Sequence, residues 1–188
     1  MENCAEFSVS QQVLCELRDP FFRIRNEEIR MKFDIAAAQA NEFLDVAALD
    51  RIAWPDMNDT FIPDGEHIWR VWCDHATLLV AKVMDREPFS ETHEIAGALV
   101  MFPSQTGELF LHKIMVHPVC RGRGVGTKLM KTALKGTQVP VLLTVDPENT
   151  AAVSLYEQFG FRVRERIDGY YRPHEDRLIM EYLPKRST

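Results

Sequence analysis

Arg121-Gly122-Arg123-Gly124-Val125-Gly126 is the stretch that decides how this chain is read. It follows the strongly apolar run Leu109–Val116 and opens a segment, residues 125–135, in which Val125, Leu129, Met130, Ala133 and Leu134 recur at helical spacing. A strand that feeds a glycine-rich turn and then a helix start gathers free backbone N–H groups and the positive end of a helix dipole at one point. Glycine lets the backbone approach a phosphate closely, and two arginines add charge. The bland alternatives are that the three glycines only turn the chain and that Arg123 and Lys128 are solvated residues of a helix start.

Two familiar phosphate loops fit the spacing poorly. A nucleoside-triphosphate loop needs Gly-Lys-Ser/Thr, and here the order is Gly126-Thr127-Lys128. A dinucleotide site needs G-x-G-x-x-G, and this chain has G-x-G-x-G. Asp146, at the end of the following strand, stands about where a ribose-binding acid belongs, but too little chain follows for the second half of a doubly wound sheet.

Outward from the loop, periodicity predicts strands at 31–36, 76–83, 94–102, 109–116, 139–145, 161–167 and 177–183. Helices are predicted at 42–51, 66–75, 125–135 and 150–159, with Phe43, Val46, Ala47 and Leu49 on the inner face of the first and Ile68, Val71 and Trp72 on that of the second. A polar segment, 84–93, reads as a hairpin loop. The order β-α-α-β-β-β-α-β-α-β-β describes a mixed α/β domain of six to seven strands and about four helices. The crossover helix after the glycine loop implies one parallel pair. Residues 1–30 read as an N-terminal extension of unknown role, 31–184 as the domain and 185–188 as a tail.

With 188 residues the chain is long enough to bury a real core, and 46% hydrophobic with 27% charged residues is an ordinary globular composition. The formal charge of −6 argues against a general nucleic-acid or anionic-membrane binder. No run approaches the roughly 20 apolar residues that cross a bilayer, and Met1-Glu2-Asn3-Cys4-Ala5-Glu6 has no secretory character. Cys4, Cys15, Cys73 and Cys120 lack C-x-x-C spacing and read as free thiols of a reducing, cytoplasmic compartment. Cys120, beside arginines, is either a thiol of lowered pKa or an ordinary buried one. The six histidines show no metal spacing, so no metal is expected.

Arg121-x-x-Gly124-x-Gly126 resembles the acyl-CoA pyrophosphate loop, Q/R-x-x-G-x-G/A, of the GNAT N-acetyltransferase superfamily. Neighbouring motifs fall in that family's order. Ile114-Met115-Val116-His117-Pro118 resembles its strand ending in V-x-P; Asn149 with Ser154-Leu155-Tyr156-Glu157-Gln158-Phe159-Gly160-Phe161 resembles its N…LYE-x-x-GF segment. Ile35, Ala38, Leu49 and Asp50 are spaced as in its first strand and helix. The resemblance covers about residues 31–184.

It implies a splayed sheet and acetyl-CoA as co-substrate. Backbone groups of Ile114, Met115 and Val116 are then expected to bond the pantetheine. Amides of Arg121, Gly122, Arg123, Gly124, Val125 and Gly126, with Thr127 and Lys128, are expected to hold the pyrophosphate. Asn149 is an N-cap on its own sequence, and the resemblance gives it a pantetheine contact as well. Tyr156 reads unaided as a core residue between Val153 and Phe159. The resemblance makes it the acid that protonates the leaving thiolate, a role suited to a phenol that stays protonated at neutral pH.

The relatives that acetylate protein N-termini carry Glu or His five positions before the Asn, where this chain has Thr144, which cannot act as a base. His112, nine residues before Arg121, stands where aralkylamine acetyltransferases place a histidine. It alternates with Phe110 and Ile114 and is the expected base, with Glu108 or water as the substitutes. A packed strand histidine is the bland reading. His117 reads as a loop residue. Asp56, Asp59, Asp64 and Glu66 either draw an amine or cap helices and solvate a loop. The tail Tyr170-Tyr171 through Glu175-Asp176 to Met180 resembles the Y-Y…E-D-A-x-x-M tail of ribosomal-protein N-terminal acetyltransferases. The partner implied is an amine acceptor, small molecule or peptide, with no nucleic acid and no membrane; a homodimer is compatible. A non-catalytic acyl-CoA-binding or sensory module on the same fold is the other functional class.

Overall fold

The computed structural model describes residues 31–54, 63–84 and 95–185. Contacts separate Met1–Lys32 from Phe33–Thr188, and the elements below belong to the second stretch. The expected extension 1–30, the loop aspartates Asp56 and Asp59 and most of the 84–93 hairpin lie outside the described residues.

Among the described residues seven strands and four helices appear in the expected order: β1 (Phe33–Ala37), α1 (Phe43–Ile52), α2 (Glu66–His75), β2 (Thr77–Val83), β3 (Ile95–Pro103), β4 (Leu109–Val116), α3 (Val125–Leu134), β5 (Val141–Val145), α4 (Thr150–Gln158), β6 (Arg162–Ile167) and β7 (Arg177–Tyr182). They form one mixed sheet of order β1-β2-β3-β4-β5-β7-β6. Among the described strands only β4 and β5 pair in parallel, joined by α3 as crossover. Among the described residues no helix is long and apolar enough to cross a membrane.

Helices cover both faces. On one, Val46, Ala47 and Leu49 of α1 and Trp69 of α2 pack on Leu78, Val80, Ala98, Val100 and Met115 of the central strands. On the other, α3 buries Val125, Leu129, Met130 and Ala133. α3 lies so close to β3 that a Cβ at Gly97 would stand 2.8 Å from Val125 Cγ1 and 2.9 Å from the Met115 carbonyl. Nine-residue β3, apolar almost throughout, is buried from Ile95 to Met101 because both its faces are covered.

The phase of α2 differs from expectation. Ile68 and Val71 are 43% and 48% exposed, while Trp69 is fully buried. A ten-residue helix can bury only one stripe, and the indole removes more apolar surface from water than either aliphatic side chain. Trp69 therefore fixes the rotation of the helix, and its ring edge meets Trp72 at 4.8 Å between centroids.

Candidate active site

β4 and β5 pair only through Leu109–Leu111 and Val141–Leu143. Beyond this point β4 continues to Val116 beside β3, while β5 continues beside β7 through Thr144 and Val145. The sheet opens at its centre, and the edge of β4 that carries Ile114, Met115 and Val116 has no strand partner on the β5 side.

A β-bulge marks the same place. Lys113 pairs with Val100 and Leu111 with Met101, so His112 is an extra residue with no partner in β3. The bulge interrupts alternation. Phe110 stacks on Phe102 with 5.8 Å between ring centroids, and His112 lies near the same ring at 6.1 Å. Ile114 instead faces α3 and α4: its Cδ1 is 3.8 Å from where a Cβ on Gly126 would sit, as is Leu155 Cδ2. The expectation that Phe110, His112 and Ile114 share one face holds for the first two and fails for the third. The bulge turns both His112 and Lys113 toward α1 and α2.

On that side a charged cluster is assembled from three parts of the chain. Asp50 of α1, wholly buried, accepts from Lys113 Nζ at 3.0 Å, from Trp54 Nε1 at 3.2 Å and from the Asp64 backbone N–H at 2.8 Å. Asp64 Oδ2 takes a further bond from Lys113 and lies 3.5 Å from His112 Nε2, at ion-pair range and without a hydrogen bond. Burial pushes the Asp64 carboxyl up. The neighbouring His112 and Lys113 side chains outweigh it and hold the group below its ordinary value. The imidazole leans on Trp72 at 4.8 Å between centroids.

The glycine loop lies past a short 3₁₀ turn, Pro118–Cys120, capped by His117, whose Nδ1 accepts from the Val119 N–H at 3.3 Å. Gly124 starts α3 with φ 78°, a left-handed value at which any other residue is strained. The first intrahelical donor is the Lys128 N–H, 3.0 Å from the Gly124 carbonyl, which leaves the N–H groups of Val125, Gly126 and Thr127 to an outside acceptor. A Cβ at Gly122 or Gly124 would meet nothing within 4 Å, so the space over the loop is open. The cations around the loop differ in availability. Arg121 donates from Nη2 to the Ala53 carbonyl at the end of α1, and Lys128 Nζ lies 3.4 Å from the Phe33 carbonyl. Arg123, exposed, makes no ion pair or hydrogen bond with a described residue. Cys120 is buried, and that burial pushes its thiol up against the smaller opposing pull of Arg123, so it is the ordinary buried thiol.

On the α3 and α4 side, Asn149 caps α4 by accepting from the Ala152 N–H at 3.1 Å. Tyr156 is buried beside Phe161, and desolvation pushes its phenol up to about 12. Glu108 is bound by the hydroxyls of Ser104 and Thr106, which hold its carboxyl below the usual range. The Thr144 hydroxyl lies 3.2 Å from the Tyr171 hydroxyl. Among the described residues no group of His, Cys, Asp and Glu is arranged to hold a metal ion.

The family model for the acetyltransferase (GNAT) family matches residues 46–161, more than half of the chain. The chain belongs to the GNAT acetyltransferase family. Its curated relatives include an uncharacterized N-acetyltransferase of Methanocaldococcus jannaschii, 37% identical over 67 residues that make up 33% of this chain and 29% of the relative. A peptidyl-lysine N-acetyltransferase, YjaB, of Salmonella typhimurium is 37% identical over 78 residues, 40% of this chain and 52% of the relative. The chain thus spans between about a third and a half of these relatives. The fold is shared with the NatC complex bound to Gag peptide and CoA (TM-score 0.66, 22% identity, 83% of this chain and 100% of that one). It is also shared with the ribosomal-protein-alanine N-acetyltransferase of Escherichia coli (TM-score 0.64, 20% identity, 81% and 94%).

Within this GNAT domain Gly126, in the first turn of α3, lies beside Ile114 and Val116 on the open edge of β4 and beside Leu155 on α4. Sequence reading missed Asp50 and Lys113 as members of a cluster. The available signals were a carboxylate on the buried face of α1 and a lysine inside an otherwise apolar strand.

Proposed function

We propose that this GNAT domain moves the acetyl group of acetyl-CoA to a primary amine by direct attack in a ternary complex. The observation that carries the reading is the parting of β4 from β5 directly after Leu111 and Leu143, beside a helix start with three unused N–H groups. A long thioester arm needs an open strand edge to lie along, and its pyrophosphate needs an anion site at one end of that edge. The groups present fit that molecule. Amides from Arg121 to Gly126 and the first turn of α3, through Thr127, would hold the pyrophosphate, with Arg123 as the available cation. The β4 edge at Ile114, Met115 and Val116, with Asn149, would hold the pantetheine.

In this reading His112 accepts the proton that the amine nitrogen loses as it bonds to the carbonyl carbon. N–H groups of the β4 edge stabilise the oxyanion. As the C–S bond breaks, Tyr156 gives its proton to the sulfur; its buried phenol supports that role because it carries the proton at every physiological pH. Glu108, half-buried and held by two hydroxyls, is the weaker base. Holding both substrates at the opening supplies much of the acceleration.

The test is thiol release from acetyl-CoA with three acceptors: a peptide with a free α-amino group, an N-terminally blocked peptide with one lysine, and a small arylalkylamine. Release of CoA with at least one, lost in part with Tyr156→Phe, is the expected result. Binding of acetyl-CoA without release to any acceptor overturns the enzymatic reading in favour of a sensory module.

A further inference from the structure

We propose that Asp64 is the positioning residue for His112: its carboxylate fixes the imidazole proton on Nε2 and leaves the Nδ1 lone pair for the acceptor amine. This rests on the reading of His112 as base and adds the group that sets its tautomer.

The geometry begins with the bulge, which turns His112 out of the regular pleat toward α1 and α2. Nε2 is buried and has no hydrogen bond, and the polar group before it is Asp64 Oδ2 at 3.5 Å. A neutral imidazole carries its proton on one nitrogen or the other. With the proton on Nε2 the ring presents an N–H to the carboxylate. With the proton on Nδ1 it presents a lone pair to an anion, which is repulsive. Nδ1 is absent from the buried unpaired atoms, and the side chain retains 31% exposure, so the accessible part of the ring includes that nitrogen.

The carboxylate is itself held. Its backbone N–H donates to Asp50 Oδ2 at 2.8 Å, and its Oδ2 is shared with Lys113, whose ammonium also bonds both oxygens of Asp50 at 3.0 and 3.1 Å. The charged groups facing the ring among the described residues are Asp64 and, through it, Lys113 and Asp50. α2 and β3 contribute only the rings of Trp72 and Phe102, which limit the tilt of the imidazole. When Nδ1 takes the amine proton, the imidazolium faces an ionised carboxylate already held by Lys113. A separation of 3.5 Å is of the kind that shortens once the acceptor is bound.

The tautomer is read directly in the unaltered chain by long-range proton–nitrogen correlation on labelled histidine. A predominant Nε2–H form at His112 is expected, and a predominant Nδ1–H form overturns the proposal. Kinetics give a second, independent readout. Asp64→Asn should lower kcat by about tenfold or more while leaving KM for acetyl-CoA unchanged. A kcat unchanged by Asp64→Asn overturns the proposal. Combined with His112→Gln, Asp64→Asn should have no additional effect on kcat, and an additional loss overturns the link between the two residues. The parent reading fails separately: if His112→Gln alone leaves kcat unchanged, His112 is not the base. A large loss with His112→Gln and none with Asp64→Asn removes only the positioning role.

Discussion

The ammonium of Lys113, on the central strand β4, lies 3.0 Å from the carboxylate of Asp50, which α1 buries completely. Opposite charges taken out of water are each costly, and they stay only as a pair with their remaining hydrogen bonds satisfied. Here Trp54 and the Asp64 N–H complete the set. The pair ties α1, the segment leading into α2 and the bulged strand at one point.

Removing one partner should therefore cost far more than removing both. Lys113→Met leaves Asp50 buried without its cation, at a cost of about 3–5 kcal/mol, which for a domain of this size lowers the melting temperature by roughly 6–20 °C. Lys113→Met combined with Asp50→Leu should recover most of that loss. Differential scanning calorimetry of the three proteins checks this, and a double variant as unstable as the single one contradicts it.

Two loop glycines should respond oppositely to alanine. At Gly124, with φ 78°, a side chain is strained by about 1–2 kcal/mol, and the strain falls on the turn that opens the anion site. Gly126 has no positive φ, and a Cβ there would make ordinary contacts at 3.8 Å with Ile114, Val116 and Leu155. Gly124→Ala should weaken acetyl-CoA binding about five- to thirtyfold if that strain is released in the free protein. Gly126→Ala should change it little. Titration calorimetry distinguishes them.

Arg123 and Arg121 should separate binding from stability. Arg123→Ala should raise the dissociation constant for acetyl-CoA several-fold and flatten its dependence on salt, since an exposed cation acts through screened attraction. Arg121→Ala removes the bond to the Ala53 carbonyl. It should lower the melting temperature by a few degrees, in line with about 1–2 kcal/mol for a charge-assisted bond.

Tyr156 gives a pH prediction of definite sign. Its phenol is pushed up to about 12 in the folded chain, against about 10 for an unfolded one. Above pH 10 the unfolded chain releases a proton that the folded chain keeps. Stability is therefore complete below pH 10 and declines as the pH rises toward 12. Tyr156→Phe removes this contribution, so urea melts of the variant should lose less stability over that interval than those of the parent. Equal losses would assign the alkaline titration elsewhere.

The parts that were legible in the sequence are local. Gly124 and Asn149 announce the starts of α3 and α4, and the apolar runs of β3 and β4 mark the centre of the sheet. The phase of α2 was not legible, because Ile68-Val71-Trp72 and Trp69-Trp72-Cys73 are both acceptable stripes and only the packing of Trp69 selects one. The charged cluster joins positions 49 and 63 residues apart, a distance over which spacing carries no signal. The bulge was hidden for another reason: Phe110, His112 and Ile114 alternate on paper as any strand does.

That bulge is also separable from the scaffold around it. From Gly97 to Val100 and again from Met101 to Pro103, β3 pairs with β4 in two regular registers that differ by one residue. Leu111 and Lys113 already point to opposite sides, as consecutive strand residues do. Excising His112 would let the two registers fuse into one straight ladder with every core side chain on its present side. The fold would lose a single surplus residue and, with it, the bulge and the imidazole beside Asp64. If His112 is the base proposed above, architecture and chemistry are encoded in different letters of the same strand.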